Sequence, residues 1–335
     1  MKAAAFVAKR EVEIVEIEAP AIRKPDDVIV QVVSSGICGS DKGLFLNDGA
    51  KPGLHGHEAA GRVVDVGPGV RRWKPSDRVV VYAVIGCGKC TYCLQGQFTY
   101  CAERVGGVEG GFCEYLVAPE RNLMRMPDYM PFPQACLMSD CFGTPAKAAR
   151  RVGVGPGDRV AIFGCGPIGL NAIMAATAYG AQVMAVDPVP YRLEAAQRLG
   201  AQHVVDAAGD PGRGIHALTG LGADKAMECS GTPEGERQAI ACLRPAGRAV
   251  FVGECGRLEI SPSSDLIRRD IAVMGSWYIH LSDFPENVRL CETTEADPMR
   301  AVTHQVPLED IGEAFRVFCD REDGCLKAIV NIRRD

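Results

Sequence analysis

The chain has 335 residues, 47% of them hydrophobic and 24% charged, with a net charge of −5. That length suits two domains and that composition an ordinary globular protein. No basic cluster favours nucleic acid, no apolar run reaches membrane-spanning length, and the N-terminal stretch is not expected to be a cleaved signal.

In chain order, Ala3–Val7, Val12–Ile17 and Val28–Val33 alternate apolar and polar residues and read as strands, separated by Pro20 and Pro25. Further strands are expected at Arg62–Val66 and Arg78–Val84, with turn residues at Gly67-Pro68-Gly69 and Lys74-Pro75-Ser76-Asp77. The rhythm is that of a mostly β, barrel-like domain. Two chemical clusters interrupt it. The first is Gly36-Ile37-Cys38-Gly39-Ser40-Asp41, followed later by Gly56-His57-Glu58. Cysteine and histidine suit zinc, but a lone Cys and a lone His this far apart are equally at home in a core. The second is Cys87, Cys90 and Cys93 with Cys101 eight residues on. Four thiolates in one short lobe close a tetrahedral site and leave no position for substrate, so the role is structural. Ligand type alone leaves zinc and an iron–sulfur cluster open. The chain has fifteen cysteines, an odd total. Metal binding in a reducing cytoplasm accounts for them better than disulfides.

Strand-like Cys113–Ala118 returns to the first domain. A helix is expected from near Pro133 and carries Asp140, which by itself reads as a cap or a solvent-facing carboxylate. Then comes Val160–Asp187, VAIFGCGPIGLNAIMAATAYGAQVMAVD. A short buried strand, a glycine turn, an apolar helix ending at Gly180 and a second strand delivering Asp187 follow one another. Gly164 permits the sharp turn, Gly166 lets backbone approach a pyrophosphate, and Gly169 lets the helix pack on the strand. Ile168 lies in the same turn, where the helix N-terminus favours phosphate. Asp187 would accept hydrogen bonds from ribose hydroxyls and repel a 2′-phosphate, which favours NAD over NADP; Arg192 softens that preference. Strands at His203–Val205, Ala223–Cys229, Arg248–Val252 and Ile271–Met274 alternate with helices at Tyr191–Leu199 and Glu234–Leu243. With the first two strands this makes six parallel strands in a doubly wound sheet. Val252 and Gly253 are expected at its carboxyl edge, near the nicotinamide. Leu308–Cys319 reads as a helix and Ala328–Ile332 as a final strand returning to the first domain.

Taken in order, GICGSD, GHE, the four-cysteine lobe, GGFCEYLVAPERNLMRMP and the glycine turn resemble the zinc-dependent medium-chain dehydrogenases, and Asp140-Cys141-Phe142-Gly143 is similar to a motif of the sorbitol and threonine dehydrogenase branch. The resemblance covers nearly the whole chain. It implies an α/β architecture: a GroES-like β-barrel catalytic domain at 1–146 and 280–335, and a six-stranded Rossmann domain at 147–279. It implies two zinc ions per chain. A catalytic zinc would be held by Cys38, His57 and Asp140, with Glu58 as an alternating ligand or close neighbour and Asp41 orienting the far nitrogen of His57. A structural zinc, rather than an iron–sulfur cluster, would be held by Cys87, Cys90, Cys93 and Cys101. Many relatives carry a proton-relaying histidine five residues after the first zinc cysteine; here that position is Gly43. Lys42, His55 or water would have to take over.

The expected reaction is oxidation of a secondary alcohol, a polyol or sugar alcohol among them, with NAD as hydride acceptor and Ser40 taking the hydroxyl proton. The alternatives are an NADPH-dependent aldehyde or ketone reductase and a non-catalytic NAD-binding redox sensor. A cytoplasmic homotetramer or homodimer is implied, acting on a small molecule and not on nucleic acid or membrane.

Overall fold

The computed structural model of the chain describes residues 1–51 and 53–333. They form two compact units. One comprises Met1–Cys141, Ile279–Phe284 and the chain from Val302 onward; the other comprises Phe142–Tyr278 and Pro285–Ala301.

The first unit is built on a seven-stranded sheet. Its longest strand, Asp27–Gly36, carries the apolar runs Val28-Ile29-Val30 and Val32-Val33 and is buried almost throughout. It pairs antiparallel with Glu58–Val66 on one side. On the other side its first half pairs with Tyr115–Pro119 and its last residues with Ala328–Asn331. Arg78–Val81 and Leu123–Arg125 extend one flank, and His304–Pro307 the other. Val28, Val30, Val32, Ala59, Val63, Val79, Val81 and Leu116 fill the interior. The register of this sheet creates the site. Gly36 pairs with Glu58 on one neighbour and with Ile329 on the other. The chain leaving at Ile37-Cys38 and the chain arriving at His57 are therefore side by side, although Cys38 and His57 lie nineteen positions apart in sequence.

The second unit carries six parallel strands in the order His203–Asp206, Gln182–Asp187, Arg159–Phe163, Ala223–Glu228, Leu243–Phe251, Ala272–Gly275. The order reverses between Arg159–Phe163 and Ala223–Glu228, which is the switch point of a doubly wound sheet. Its core includes Ala161, Phe163, Met184, Val186, Ile215, Ala226 and Ala249. Among the described residues, no helix is long and apolar enough to cross a membrane.

Three local expectations differ from the structure. The helix expected through Asp140 is two helices, Phe132–Leu137 and Gly143–Val152, and Asp140 lies in the turn between them. Pro145 is the reason: in a continuous helix its ring would clash with the Cys141 carbonyl, whereas a new start at Gly143 places it in the first turn, where no donor is needed. Leu243, expected in a helix, begins a strand. Pro245 biases the residue before it toward extended backbone, so the helix stops at Ala241. The segment Pro285–Ala301, expected with the first unit, groups with the second. There Pro298–Ala301 packs on Pro167–Ala178, and Arg300 donates to the Arg198 carbonyl at 2.7 Å.

Candidate metal centres and nucleotide site

In the first unit, Cys38, His57, Glu58 and Asp140 each bring one ligand atom within 4.8 Å of the others. Cys38 Sγ lies 3.7 Å from Asp140 Oδ2, and His57 Nε2 lies 3.3 Å from the same oxygen. With usual zinc bond lengths, tetrahedral geometry puts sulfur and oxygen ligands about 3.6 Å apart and nitrogen and oxygen ligands about 3.4 Å apart. The donor set therefore matches a zinc-sized cation in chemistry and in spacing. Asp41 serves both ligands. Its Oδ2 accepts from the Cys38 backbone N–H at 2.9 Å, and its Oδ1 lies 3.3 Å from His57 Nδ1. That leaves Nε2 as the nitrogen facing the cluster.

The electrostatics suit a cation. Burial pushes the Cys38 thiol up, and the Asp140 carboxylate pushes it further. Burial works against a charged His57, yet Asp140, Asp41 and Cys38 outweigh it and raise its proton affinity well above the ordinary imidazole range. A bound dication in place of those protons would relieve both tensions.

Glu58 is fully buried and points to Lys327, whose ammonium donates to Glu58 Oε1 at 2.9 Å, to Oε2 at 2.8 Å and to the Ile37 carbonyl at 2.7 Å. Lys327 is itself 1% exposed. Burial lowers its proton affinity, but Cys141, Glu58 and Cys38 outweigh that and keep it charged. Gly36 makes the room: a Cβ there would stand 2.1 Å from Glu58 Oε2. Ser40, in the turn Gly39–Asp41, is exposed. Of the relay candidates, His55 packs edge-on against Phe6, with Nε2 3.0 Å from the Lys51 carbonyl. Lys42 lies over the Phe318 ring.

The four-cysteine lobe is closed. Cys87 Sγ and Cys93 Sγ are 3.9 Å apart, close to the about 3.8 Å edge of a tetrahedral zinc–thiolate site. Backbone N–H groups already face the sulfurs: Cys93 donates to Cys90 Sγ and Cys87 to Cys101 Sγ. The N–H groups of Lys89 and Cys90 pull the Cys87 thiol down to about 6, whereas burial pushes Cys93 up to about 12.

In the second unit, Gly164 sits at φ +87°, and a Cβ on Gly169 would stand 1.7 Å from the Gly164 carbonyl oxygen. Strand end and helix start thus touch backbone to backbone. The helix Pro167–Ala178 opens there with proline at its first position, and Ile168 beside it is half-buried. Asp187 is held on both oxygens: Oδ2 accepts from the Cys165 N–H at 2.7 Å, Oδ1 from Val189 N–H at 2.9 Å. Arg192 comes within 3.9 Å of Oδ2. Val252 and Gly253 follow the strand Leu243–Phe251, half-buried, with Gly253 against Gly231. Glu228, which the sequence did not single out, organises this edge. Fully buried, it accepts from Ser230 N–H at 2.7 Å and from Gly231 N–H at 3.1 Å. Lys327 was missed as well; its only trace in the sequence is a lone lysine opening an apolar strand.

Comparison with known proteins gives the family. Residues 24–128 match the family model described as alcohol dehydrogenase GroES-like domain, and residues 167–293 match that described as zinc-binding dehydrogenase. The sorbitol dehydrogenase of Bacillus subtilis is 31% identical, over 98% of this chain and 97% of the relative. The L-threonine 3-dehydrogenase of Pyrococcus abyssi is 33% identical over 91% of each. The crystal structure of 2R,3R-butanediol dehydrogenase from Bacillus subtilis superposes with a TM-score of 0.87 at 32% identity, covering 99% of both chains. With two family models matched in order, near-full-length relatives, a GroES-like unit and a parallel-sheet unit, the chain belongs to the zinc-dependent medium-chain dehydrogenases, on the branch of the sorbitol and threonine dehydrogenases.

Proposed function

We propose that this oxidoreductase oxidises a secondary alcohol, drawn from polyols, sugar alcohols and related diols, with NAD+ as acceptor. The observation that carries the reading is the triangle of Cys38 Sγ, His57 Nε2 and Asp140 Oδ2, spaced for a zinc ion by side chains from three separate segments. The names of the relatives, which cover sorbitol, threonine and butanediol, support a secondary hydroxyl as the reacting group.

When bound, zinc supplies Lewis acidity toward the alcohol oxygen and the dinucleotide supplies the hydride acceptor. The chain's own residues do the rest. Asp41 fixes the ring of His57 and the backbone of Cys38 together. Lys327 holds Glu58 by both carboxylate oxygens, so that Glu58 stands as a close neighbour of the cluster while that pair lasts. Ser40, exposed and two residues from Cys38, takes the hydroxyl proton and passes it to solvent. Cys87, Cys90, Cys93 and Cys101 would hold a second, structural zinc. Gly164, Gly166, Ile168 and Gly169 would cradle the pyrophosphate, Asp187 would take the ribose hydroxyls, and Val252 and Gly253 would flank the nicotinamide.

NAD is favoured because Asp187 presents a buried carboxylate where NADP carries phosphate. Arg192 beside it is the feature that favours the NADPH-dependent reductase instead. A redox sensor has no use for the Cys38, His57 and Asp140 set. Fifteen cysteines suit a reducing cytoplasm, and the family suits a homotetramer or dimer. The test is reduction of NAD and NADP by the zinc-loaded protein on secondary alcohols, polyols and threonine, with a zinc count. NAD-dependent turnover and two zinc ions are expected; NADP-only turnover, or none, overturns the reading.

A further inference from the structure

Glu109 is an acid that the reaction outlined above does not use. It lies in Val105-Gly106-Gly107-Val108-Glu109-Gly110-Gly111-Phe112. The segment is anchored on both sides of it. Val108 is buried and its N–H donates to the Ala83 carbonyl at 2.7 Å. Beyond it, Gly111 donates to the Gly56 carbonyl and Phe112 to the His55 carbonyl, both at 2.9 Å. Here the two backbones are in contact, since a Cβ on Gly111 would stand 2.9 Å from the Gly56 carbonyl carbon. Gly56 immediately precedes His57, so this clamp ties the loop carrying Glu109, two residues before Gly111, to the backbone that delivers His57.

The charges there are otherwise matched. Asp41 faces His57, and Glu58 is paired with Lys327. Cys38 and Asp140 together supply the two negative charges that balance a zinc ion. Glu109 forms no hydrogen bond or ion pair with any other side chain among the described residues. Burial pushes its carboxyl up, the nearby His57 pulls it down, and Asp41 and His55 add smaller opposing effects. A carboxylate on a loop tied to a reaction centre, with no side-chain partner of its own, is an acceptor open to donors.

We infer that Glu109 is a specificity-determining residue: it accepts a hydrogen bond from a hydroxyl on the carbon next to the reacting carbinol, and so selects uncharged polyols over monoalcohols and rejects hydroxy acids. The inference rests on the alcohol-oxidation reading. A monoalcohol has a single hydroxyl, which the metal site occupies, and offers Glu109 nothing. A vicinal diol offers a second. A carboxylate or phosphate on the substrate meets like charge.

The test compares zinc-loaded wild type, Glu109→Gln, Glu109→Ala and Glu109→Lys on 2-butanol, 2,3-butanediol, erythritol, 3-amino-2-butanol and 3-hydroxybutyrate. Zinc content and NADH binding are measured alongside and are expected to be unchanged. Glu109→Ala should lose roughly 10- to 100-fold in kcat/KM on the diol and on erythritol, the cost of a hydrogen bond to a charged group, with KM carrying most of it and 2-butanol unaffected. Glu109→Gln should retain an intermediate value, and Glu109→Lys should gain on 3-hydroxybutyrate. Equal losses on 2-butanol and the diol, or no loss on either, overturn the role. Dependence on Glu109 confined to the amino alcohol overturns the polyol assignment. Wild type inactive on every alcohol sinks the oxidation reading and this inference with it, whereas active wild type with indifferent Glu109 variants sinks this inference alone.

Discussion

Replacing Lys327 by methionine isolates the buried pair beneath the metal-ligand cluster. In the folded chain Lys327 and Glu58 are 1% and 0% exposed, and the ammonium satisfies two carboxylate oxygens and the Ile37 carbonyl. Methionine fills similar volume and donates nothing. The Glu58 carboxylate is then a charge without solvent and without a counterion, a situation that costs about 3–5 kcal/mol. At about 2–4 °C per kcal/mol for a unit of this size, Tm should fall by about 6–20 °C. Glu58→Gln in the same chain removes the stranded charge, so the double variant should recover most of the loss, because replacing both partners of a buried pair is nearly neutral. The assay is scanning calorimetry of wild type, both single variants and the double variant, zinc-loaded and after chelation. The loss should be larger in chelated protein, where no cation is present to receive the freed carboxylate. A Lys327→Met variant within 1 °C of wild type, or a double variant no better than the single, would refute the argument that this pair matters because it is buried and mutually satisfied.

Four further outcomes rest on the same structure. Cys93→Ser should remove one of two zinc ions by elemental analysis and lower Tm while leaving the NADH binding of the other unit intact, since its sulfur faces Cys87 inside a closed lobe. Asp187→Ser should improve NADP relative to NAD by about tenfold or more in kcat/KM, because it deletes a carboxylate where the 2′-phosphate would sit and leaves Arg192 in place. Gly43→His should raise turnover several-fold near neutral pH if a histidine at this position relays the proton: its Cβ meets nothing nearer than Asn47 Nδ2 at 3.4 Å, an ordinary contact. Asp224→Asn should flatten the acid limb of the stability curve. Burial alone would raise the Asp224 carboxyl, but Arg244 and Arg159 hold it below the ordinary carboxylate range. Its contribution is therefore present above that range and disappears as pH falls through the depressed native value. Urea titration between neutral and acid pH checks this.

What was legible in the sequence was what local chemistry determines. The parallel sheet could be read because each strand is a short apolar run closed by glycine or an acid, as at Arg159–Phe163 before Gly164 and Gln182–Asp187. The four-cysteine lobe could be read because its ligands lie in one loop. The helix Pro211–Thr219 went unread because two glycines in its first half mask it, and only packing on the sheet through buried Ile215 makes it helical. Cys38, His57 and Asp140 come from the sequence only through the family resemblance, because what brings them together is not local. Cys38 and His57 meet only because Gly36 pairs with Glu58, and Lys327 reaches Glu58 only because Ile329 pairs with Gly36. Register is a property of the assembled sheet, and no window of sequence around Lys327 contains it. The lysine does leave a physical trace: a charge opening an otherwise apolar, inward-facing strand must find a counter-charge or not fold. That argument predicts a buried carboxylate somewhere in the molecule, and Glu58 beside His57 was available from the start. Joining the two needed only the pairing of three strands, and the same pairing sets the Glu58–Lys327 ion pair next to Cys38 and His57.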